Sequence, residues 1–201
     1  MGKGEFNMLI TFEGFDGSGK STQAELLYKA LFDHDALLLR EPGSTAVGEA
    51  IRNLLENYKV TPTTQALLYN AARAELVQRV IVPALDQNRV VIMDRFFDST
   101  IAYQGYGQNM NISRLRMLEP LVKGDVFPTI TFFLDIDFRT AQLRDPLVND
   151  ESFFNRVREG YFEMIQREKR FIRIDGSLPV DRIHESIIAL VKEWINGKKE
   201  S

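Results

Sequence analysis

The 201-residue sequence contains no cysteine, which removes a disulfide framework, a thiolate zinc site and a cysteine nucleophile together. It has no apolar run approaching the ~18 residues needed to span a bilayer. Its first apolar run, 8–12, ends at Glu13 and is too short for the core of a secretory leader. Charge of one sign is also scarce. The chain has 25 Lys and Arg against 28 Asp and Glu, a net charge of −3, whereas a dedicated nucleic-acid binder usually shows a basic face. A phosphate ligand can still be held by a few local cations. No internal repeat, low-complexity tract or Pro/Gly-rich linker divides the chain. The expectation is one cytoplasmic domain over 8–201, acting on neither a membrane nor a nucleic-acid polymer. Residues 1–7 are polar and unpatterned, and Met8 could itself be a start, so they are read as a remnant outside the fold.

What is present is an alternation of short apolar runs with helical periodicity. Apolar runs at 8–13, 36–39, 89–93, 129–136 and 171–174 read as strands. Helical spacing covers 21–32, 47–57, 64–86, 99–106, 112–123, 152–167 and 180–196. Strands separated by helices imply an α/β fold, a five-stranded parallel sheet with helices on both faces. In such sheets ligands sit at the carboxyl ends of the strands.

Two motifs lie at those ends. GFDGSGKS, at 14–21, follows a strand and opens a helix. A phosphate chain needs backbone N–H groups aimed at its oxygens, and glycine lets the backbone wrap that closely. The helix adds its N-terminal dipole, Lys20 a mobile charge and Ser21 a hydroxyl for Mg²⁺. This is a P-loop for a nucleoside triphosphate. VVIMDR, at 90–95, ends an apolar strand on Asp94, which can order the magnesium shell. The next residue is Arg95, a cation that suits a second anionic substrate better than activation of water. An Asn-Lys-x-Asp guanine motif is absent. A small-molecule kinase fits what remains.

Three segments together, FEGFDGSGKST (12–22), REPGST (40–45) and DRFFDSTIAYQG (94–105), make the chain resemble the thymidylate kinase family. FFNRVREGYFEMI (153–165) is similar to the helix after that family's lid. The resemblance implies a P-loop kinase fold with a short lid near 143–152, Mg²⁺-dependent transfer of the ATP γ-phosphoryl group to dTMP to give dTDP, and a homodimer. Gly14, Phe15, Asp16, Gly17, Ser18, Gly19, Lys20, Ser21 and Thr22 then hold ATP, with Ser21 and Asp94 at the metal. The resemblance also puts Asp16 at the acceptor sugar 3′-OH and Arg40 and Arg95 around the acceptor phosphate. Tyr69 stands where the family usually stacks a phenylalanine on thymine, with Arg73 at the base edge. Ser99, Tyr103 and Gln104 line the base and deoxyribose. Lys20, Asp94, Arg95 and Arg144 are the expected catalytic set. Spacing agrees in two places: Tyr69 and Arg73, and Ser99 and Tyr103, are each four residues apart and share a helix face.

The chain departs from the family pattern in its lid and in one loop. Family members with glycine after the P-loop aspartate, like Gly17 here, usually carry one or more lid arginines. Between Leu143 and Phe153 there is only Arg144, and Pro146 stands where another arginine is common. Arg144 reads as an arginine finger or as a helix-end charge, with Arg156 and Arg158 as substitutes. Ser44 replaces the second glycine of REPGGT, a position that calls for positive φ. Two alternatives stay open: a kinase for another or a broader range of pyrimidine monophosphates, and a nucleotide-binding protein whose catalysis has degraded.

Overall fold

The computed structural model describes residues 7–197; residues 1–6 of the expected remnant lie outside that range. Five parallel strands, β1 Met8–Glu13, β2 Leu37–Arg40, β3 Val90–Asp94, β4 Ile130–Asp135 and β5 Phe171–Asp175, form one sheet in the order β2-β3-β1-β4-β5. β1 is central because it is buried along its whole length, as a strand flanked by parallel neighbours and covered on both faces must be.

Side chains alternate across that sheet with the period of two that a strand imposes. Leu9, Val91, Met93 and Phe133 point to one face. Met8, Ile10, Phe12, Val90, Ile92, Phe132 and Leu134 point to the other. The second face is covered by α1 (Lys20–Ala30) and α10 (Val180–Gly197), through Leu27, Ile187 and Val191. The first is covered by α3 (Pro62–Leu76) and α9 (Glu151–Arg167), through Leu76, Val157 and Tyr161. Each fully buried Phe or Leu stabilises the fold by roughly 1.5–3 kcal/mol.

Helix ends follow local chemistry. Thr45 caps α2 (Ala46–Asn57) by accepting from Gly48 N, Thr61 caps α3 with Pro62 at its first position, and Asp150 caps α9 from Phe153 N. The helix expected over 64–86 runs the whole of that length, starting two residues earlier at Pro62, but is not uniform. It passes from α3 through a π-helical stretch, Val77–Ile81, into α4 (Val82–Asp86). The helix expected at 99–106 starts as α5 (Phe97–Thr100) and also widens to π geometry over Ile101–Gly107. The single helix expected over 112–123 is two, α6 (Ile112–Arg116) and α7 (Glu119–Lys123). Pro120 explains the break, since its ring fits the first turn of a helix and not the interior. One helix was not expected, α8 (Phe138–Arg144), capped by Asp137.

Candidate active site

β1, β3 and β4 deliver their carboxyl ends to one edge of the sheet. From β1 the chain enters the loop 14–19 and then α1, whose first turn carries no acidic residue. That end is open to an anion, because the dipole and free N–H groups are unopposed. Gly14 cannot be replaced there: a Cβ would lie 2.7 Å from both Leu134 O and Ser18 Oγ. Gly17, at φ 78°, is met by α8, with a built Cβ 3.1 Å from Ala141 O and 3.2 Å from Arg144 Cβ.

Within this loop Asp16 bridges two cations. Its Oδ1 accepts from Lys20 Nζ at 3.3 Å and from Arg95 Nη2 at 2.6 Å. Burial pushes the Asp16 carboxyl up, but Arg95 and Lys20 outweigh it and hold it below the usual range. Burial, then Arg95, push the Lys20 ammonium down, against Asp16 and Asp94. Ser21 Oγ donates to Asp94 Oδ2 at 2.5 Å. Two polar atoms beside them are buried without a partner, Ser18 Oγ and Asp94 Oδ1. The first is a hydroxyl free to donate to a phosphate oxygen, the second an acceptor free for metal-bound water. Among the described residues no group of three or more His, Cys, Asp or Glu is placed to hold a metal ion directly. One carboxylate and one hydroxyl beside a phosphate site fit hydrated Mg²⁺, which keeps several waters and takes few protein ligands.

Arg95 follows Asp94 at φ 71°, a conformation that costs a non-glycine residue of order 1–3 kcal/mol and needs surrounding support. The support is visible. Arg95 N donates to Phe12 O at 3.0 Å. The next amide, Phe96 N, donates to Glu13 Oε1 at 2.7 Å. Glu13 Oε2 also accepts from Ser99 Oγ at 2.6 Å and Tyr161 OH at 2.8 Å. The Arg95 guanidinium then donates to Gly14 O, Ser99 Oγ and Tyr103 OH, each at 3.1 Å, as well as to Asp16. Ser99 and Tyr103 therefore meet at Arg95, as their spacing suggests. Burial raises the Tyr103 phenol far above its ordinary range, so it stays protonated. Glu13 was missed: at the end of β1 it looks like a strand terminus, yet its carboxyl is fully buried and pushed up to about 7 by burial and by Asp98. Phe15, in the loop, stacks on Tyr103 with ring centroids 5.4 Å apart and meets Phe154 in a tilted contact at 4.6 Å.

A pocket of about 300 Å³ opens from Asp16 and Arg95 toward α3. Tyr69, Arg73, Ser99, Tyr103 and Gln104, all expected from sequence, line it. Arg73 is not a free base reader. It is 2% exposed and donates through Nε to Glu41 Oε2 at 2.6 Å, through Nη1 to Asn70 Oδ1 and Thr100 Oγ1, and through Nη2 to Phe96 O. Four of its five N–H groups are thus committed. Glu41 is fully buried, and burial pushes its carboxyl up to about 7 against the pull of Arg73.

Arg40 does not reach this pocket. It is half exposed and pairs with Glu49 at 3.1 Å. A cation the sequence did not single out, Arg52, lines the pocket instead, resting against Glu56 and Pro42 O. Its signal was present but weak, one arginine on the amphipathic helix α2. Ser44 does adopt positive φ, 61°, and compensates: its Oγ accepts from Arg40 N at 2.9 Å and its N–H donates to Glu49 Oε1 at 3.2 Å.

Arg144 ends α8 beside the loop, donating to Gly17 O at 3.3 Å and Gly176 O at 2.9 Å. The proposed substitutes are engaged elsewhere. Arg156 bonds Gly107 O and Ser152 Oγ, and Arg158 grips Asp135 through two bonds of 2.6 and 2.9 Å.

A triphosphate loop and a second pocket sharing Asp16 and Arg95, on a parallel sheet of this order, define a P-loop kinase for a small anionic acceptor. Comparison with known proteins narrows the class. The family model described as thymidylate kinase matches residues 12–187. The thymidylate kinase of Chlorobium limicola is 45% identical to this chain, over 92% of it and 95% of the relative. That of Kosmotoga olearia is 42% identical over 94% and 95%. The crystal structure of thymidylate kinase from Ehrlichia chaffeensis superposes with a TM-score of 0.81 at 37% identity, covering 92% of this chain and 98% of that one. The chain belongs to the thymidylate kinase family.

Proposed function

We propose that this protein transfers the γ-phosphoryl group of ATP to dTMP, giving dTDP and ADP. Family membership supports the pair of substrates. The observation that carries the mechanism is the bridge Lys20–Asp16–Arg95, with bonds of 3.3 and 2.6 Å. It sets the lysine of the donor site and the arginine of the acceptor pocket on one carboxylate, so two nucleotides bound here face each other.

Phosphoryl transfer asks the protein for alignment and charge neutralisation. Lys20, the N–H groups of the loop and Ser18 Oγ take the β/γ oxygens of ATP. When ATP enters, Lys20 exchanges Asp16 for phosphate, and Asp16 is freed toward the acceptor sugar. Arg95 turns its Nη groups to the acceptor phosphate, with Arg52 as a second cation and Arg40 only after release from Glu49. Ser21 and the buried Oδ1 of Asp94 would hold Mg²⁺ through its waters, and the ion would neutralise charge on the transferring group. The acceptor oxygen of dTMP is already anionic at neutral pH, so no strong base is required. Arg144, at the end of a short lid over 143–152, leaves Gly17 O and Gly176 O to meet the developing charge. The unit that does this is read as one domain over 8–201.

The test is ADP release with ATP, Mg²⁺ and dTMP in a coupled assay. ADP formation must depend on dTMP; release at the same rate without dTMP, or binding of both nucleotides without turnover, would refute the proposal. Among the described residues no helix is long and apolar enough to cross a membrane, and substrates of this kind place the work in the cytoplasm. A homodimer is supported by Leu67 on α3, Leu121 on α7 and Met117 in the turn before α7, each more than half exposed. Light scattering on the purified protein tests it, a monomeric mass being the adverse result.

A further inference from the structure

Gln65 lines the pocket but has no part in the reading above. It stands one helical turn before Tyr69 and two before Arg73, on the same face of α3. Its Oε1 accepts two amide bonds, from Gln104 Nε2 at 3.3 Å and from Gln108 Nε2 at 2.7 Å. Both donors come from the wall that begins with the π-helical stretch Ile101–Gly107. An amide oxygen has two lone pairs, so the acceptor capacity of Gln65 is filled. Only its NH₂ remains, as a donor.

The same bonds orient Gln104. With Nε2 turned to Gln65, its Oε1 is left for the pocket that Gln104 lines. Arg73 adds the one N–H its ion-pair network does not use. The wall thus offers an acceptor, Gln104 Oε1, accompanied by donors, Gln65 Nε2 and Arg73. A 2,4-dioxopyrimidine presents the complement: an N3–H donor flanked by two oxo acceptors. Cytosine presents a bare N3 and an amino group, reversing two of those positions. A reversed edge leaves buried polar groups unpaired, and sites of this kind reject such an analogue strongly.

We infer that Gln65 is a specificity-determining positioning residue. It locks the Gln104 amide in the orientation that accepts from N3–H, so the site takes thymine and uracil monophosphates and excludes cytosine. The inference rests on reading this pocket as the acceptor site.

The experiment measures kcat/KM for dTMP, dUMP and dCMP in the wild type and in Gln65→Met, Gln65→Ser and Gln65→Glu, with melting curves to confirm folding. Met and Ser remove the shared acceptor and free Gln104 to rotate, so the dTMP/dCMP ratio should fall by at least about tenfold. The dTMP/dUMP ratio, which depends on the methyl group, should hold. Glu keeps acceptor oxygens facing Gln104 and Gln108 but gives up the Nε2 donor, so it should lose rate on dTMP and lower the dTMP/dCMP ratio by clearly less than Met or Ser does. A ratio unchanged in both Met and Ser, or lost equally in Glu, overturns the inference. Wild-type turnover of dTMP separates the two levels. If it is absent, the proposed function fails and takes this inference with it; if present with an unmoved ratio, only the role of Gln65 fails.

Discussion

Removing the Arg73 guanidinium tests whether the acceptor pocket is held by a buried ion pair as well as read by it. Arg73 and Glu41 are 2% and 4% exposed in their side chains and meet at 2.6 Å. Arg73→Met keeps most of the volume and deletes four hydrogen bonds. Loss of the bonds matters less than what stays behind, a buried carboxylate with Oε1 already unpartnered and Oε2 newly so. Breaking a buried pair from one side costs about 3–5 kcal/mol. For a chain of this length each kcal/mol moves the melting temperature by roughly 2–4 °C, so the expected loss is about 6–20 °C. Adding Glu41→Gln removes the stranded charge and should restore much of that loss, since replacing both members of a buried pair is often close to neutral. Acid should help the single variant too. Without Arg73, burial raises Glu41 unopposed, so the carboxyl protonates more readily as pH falls toward 5 and the deficit shrinks. Calorimetry or circular dichroism at pH 5.5 and 8 measures all three effects. KM for dTMP, measured alongside, should stay raised in the double variant even where stability returns. A single variant melting within about 3 °C of wild type would refute the reasoning, because no stranded charge could then be present.

Lys20→Ala should lower turnover by at least about a hundredfold while the melting curve persists; near-normal turnover would remove Lys20 from the phosphate site. Arg144→Ala should lower kcat by about 10³-fold or more if this side chain is the finger, with KM for dTMP little changed. A kcat within twofold would make it a tie between Gly17 and Gly176. Glu13→Gln should flatten the stability profile at mild pH. In the wild type the folded protein holds the Glu13 proton up to about 7, whereas the unfolded chain releases it near 4.5. Stability therefore falls as pH rises between those values, by about 3 kcal/mol at most; urea titrations at pH 5 and 7.5 should show a smaller drop in the variant. Ser44→Gly should change stability by under about 1 kcal/mol, because relief at φ 61° offsets the lost bond to Arg40 N; a larger change in denaturant midpoint would show that the two do not balance.

How much of this was legible in advance depends on whether the determining contacts are local. The five strands were readable to within a residue or two because each is an apolar run stopped by Gly, Pro, Asp or Arg, and burial on both faces leaves little else such a run can be. The P-loop was readable for the same reason, since glycine spacing and backbone geometry are consecutive. α8 was not: seven residues with one buried side chain, Ala141, give no periodicity to detect. The π-helical stretches were invisible because a periodicity of apolar residues does not register one extra residue in a turn. They carry consequences, since Ile101–Gly107 is the wall that aims Tyr103 and Gln104.

The residues that hold the site were hidden by distance along the chain. Arg73 was marked for the base edge, but all its partners except Asn70 are 23 to 32 residues away, at Glu41, Phe96 and Thr100, on loops and a helix whose approach only the fold decides. Glu13 is further removed from Tyr161, by 148 residues. Sequence spacing can say that Ser99 and Tyr103 share a face; it cannot say that a carboxylate at the end of the central strand holds that face at a strained arginine. A side chain that touches substrate is marked by its type and motif. One that fixes another side chain, as Glu13 does for Ser99 and Gln65 for Gln104, has no mark except its partner. This is why variants that keep the acceptor oxygen and remove only one other feature, such as Gln65→Glu, discriminate better here than alanine. Alanine deletes the contact and its supports together, and the distant partner responds to both.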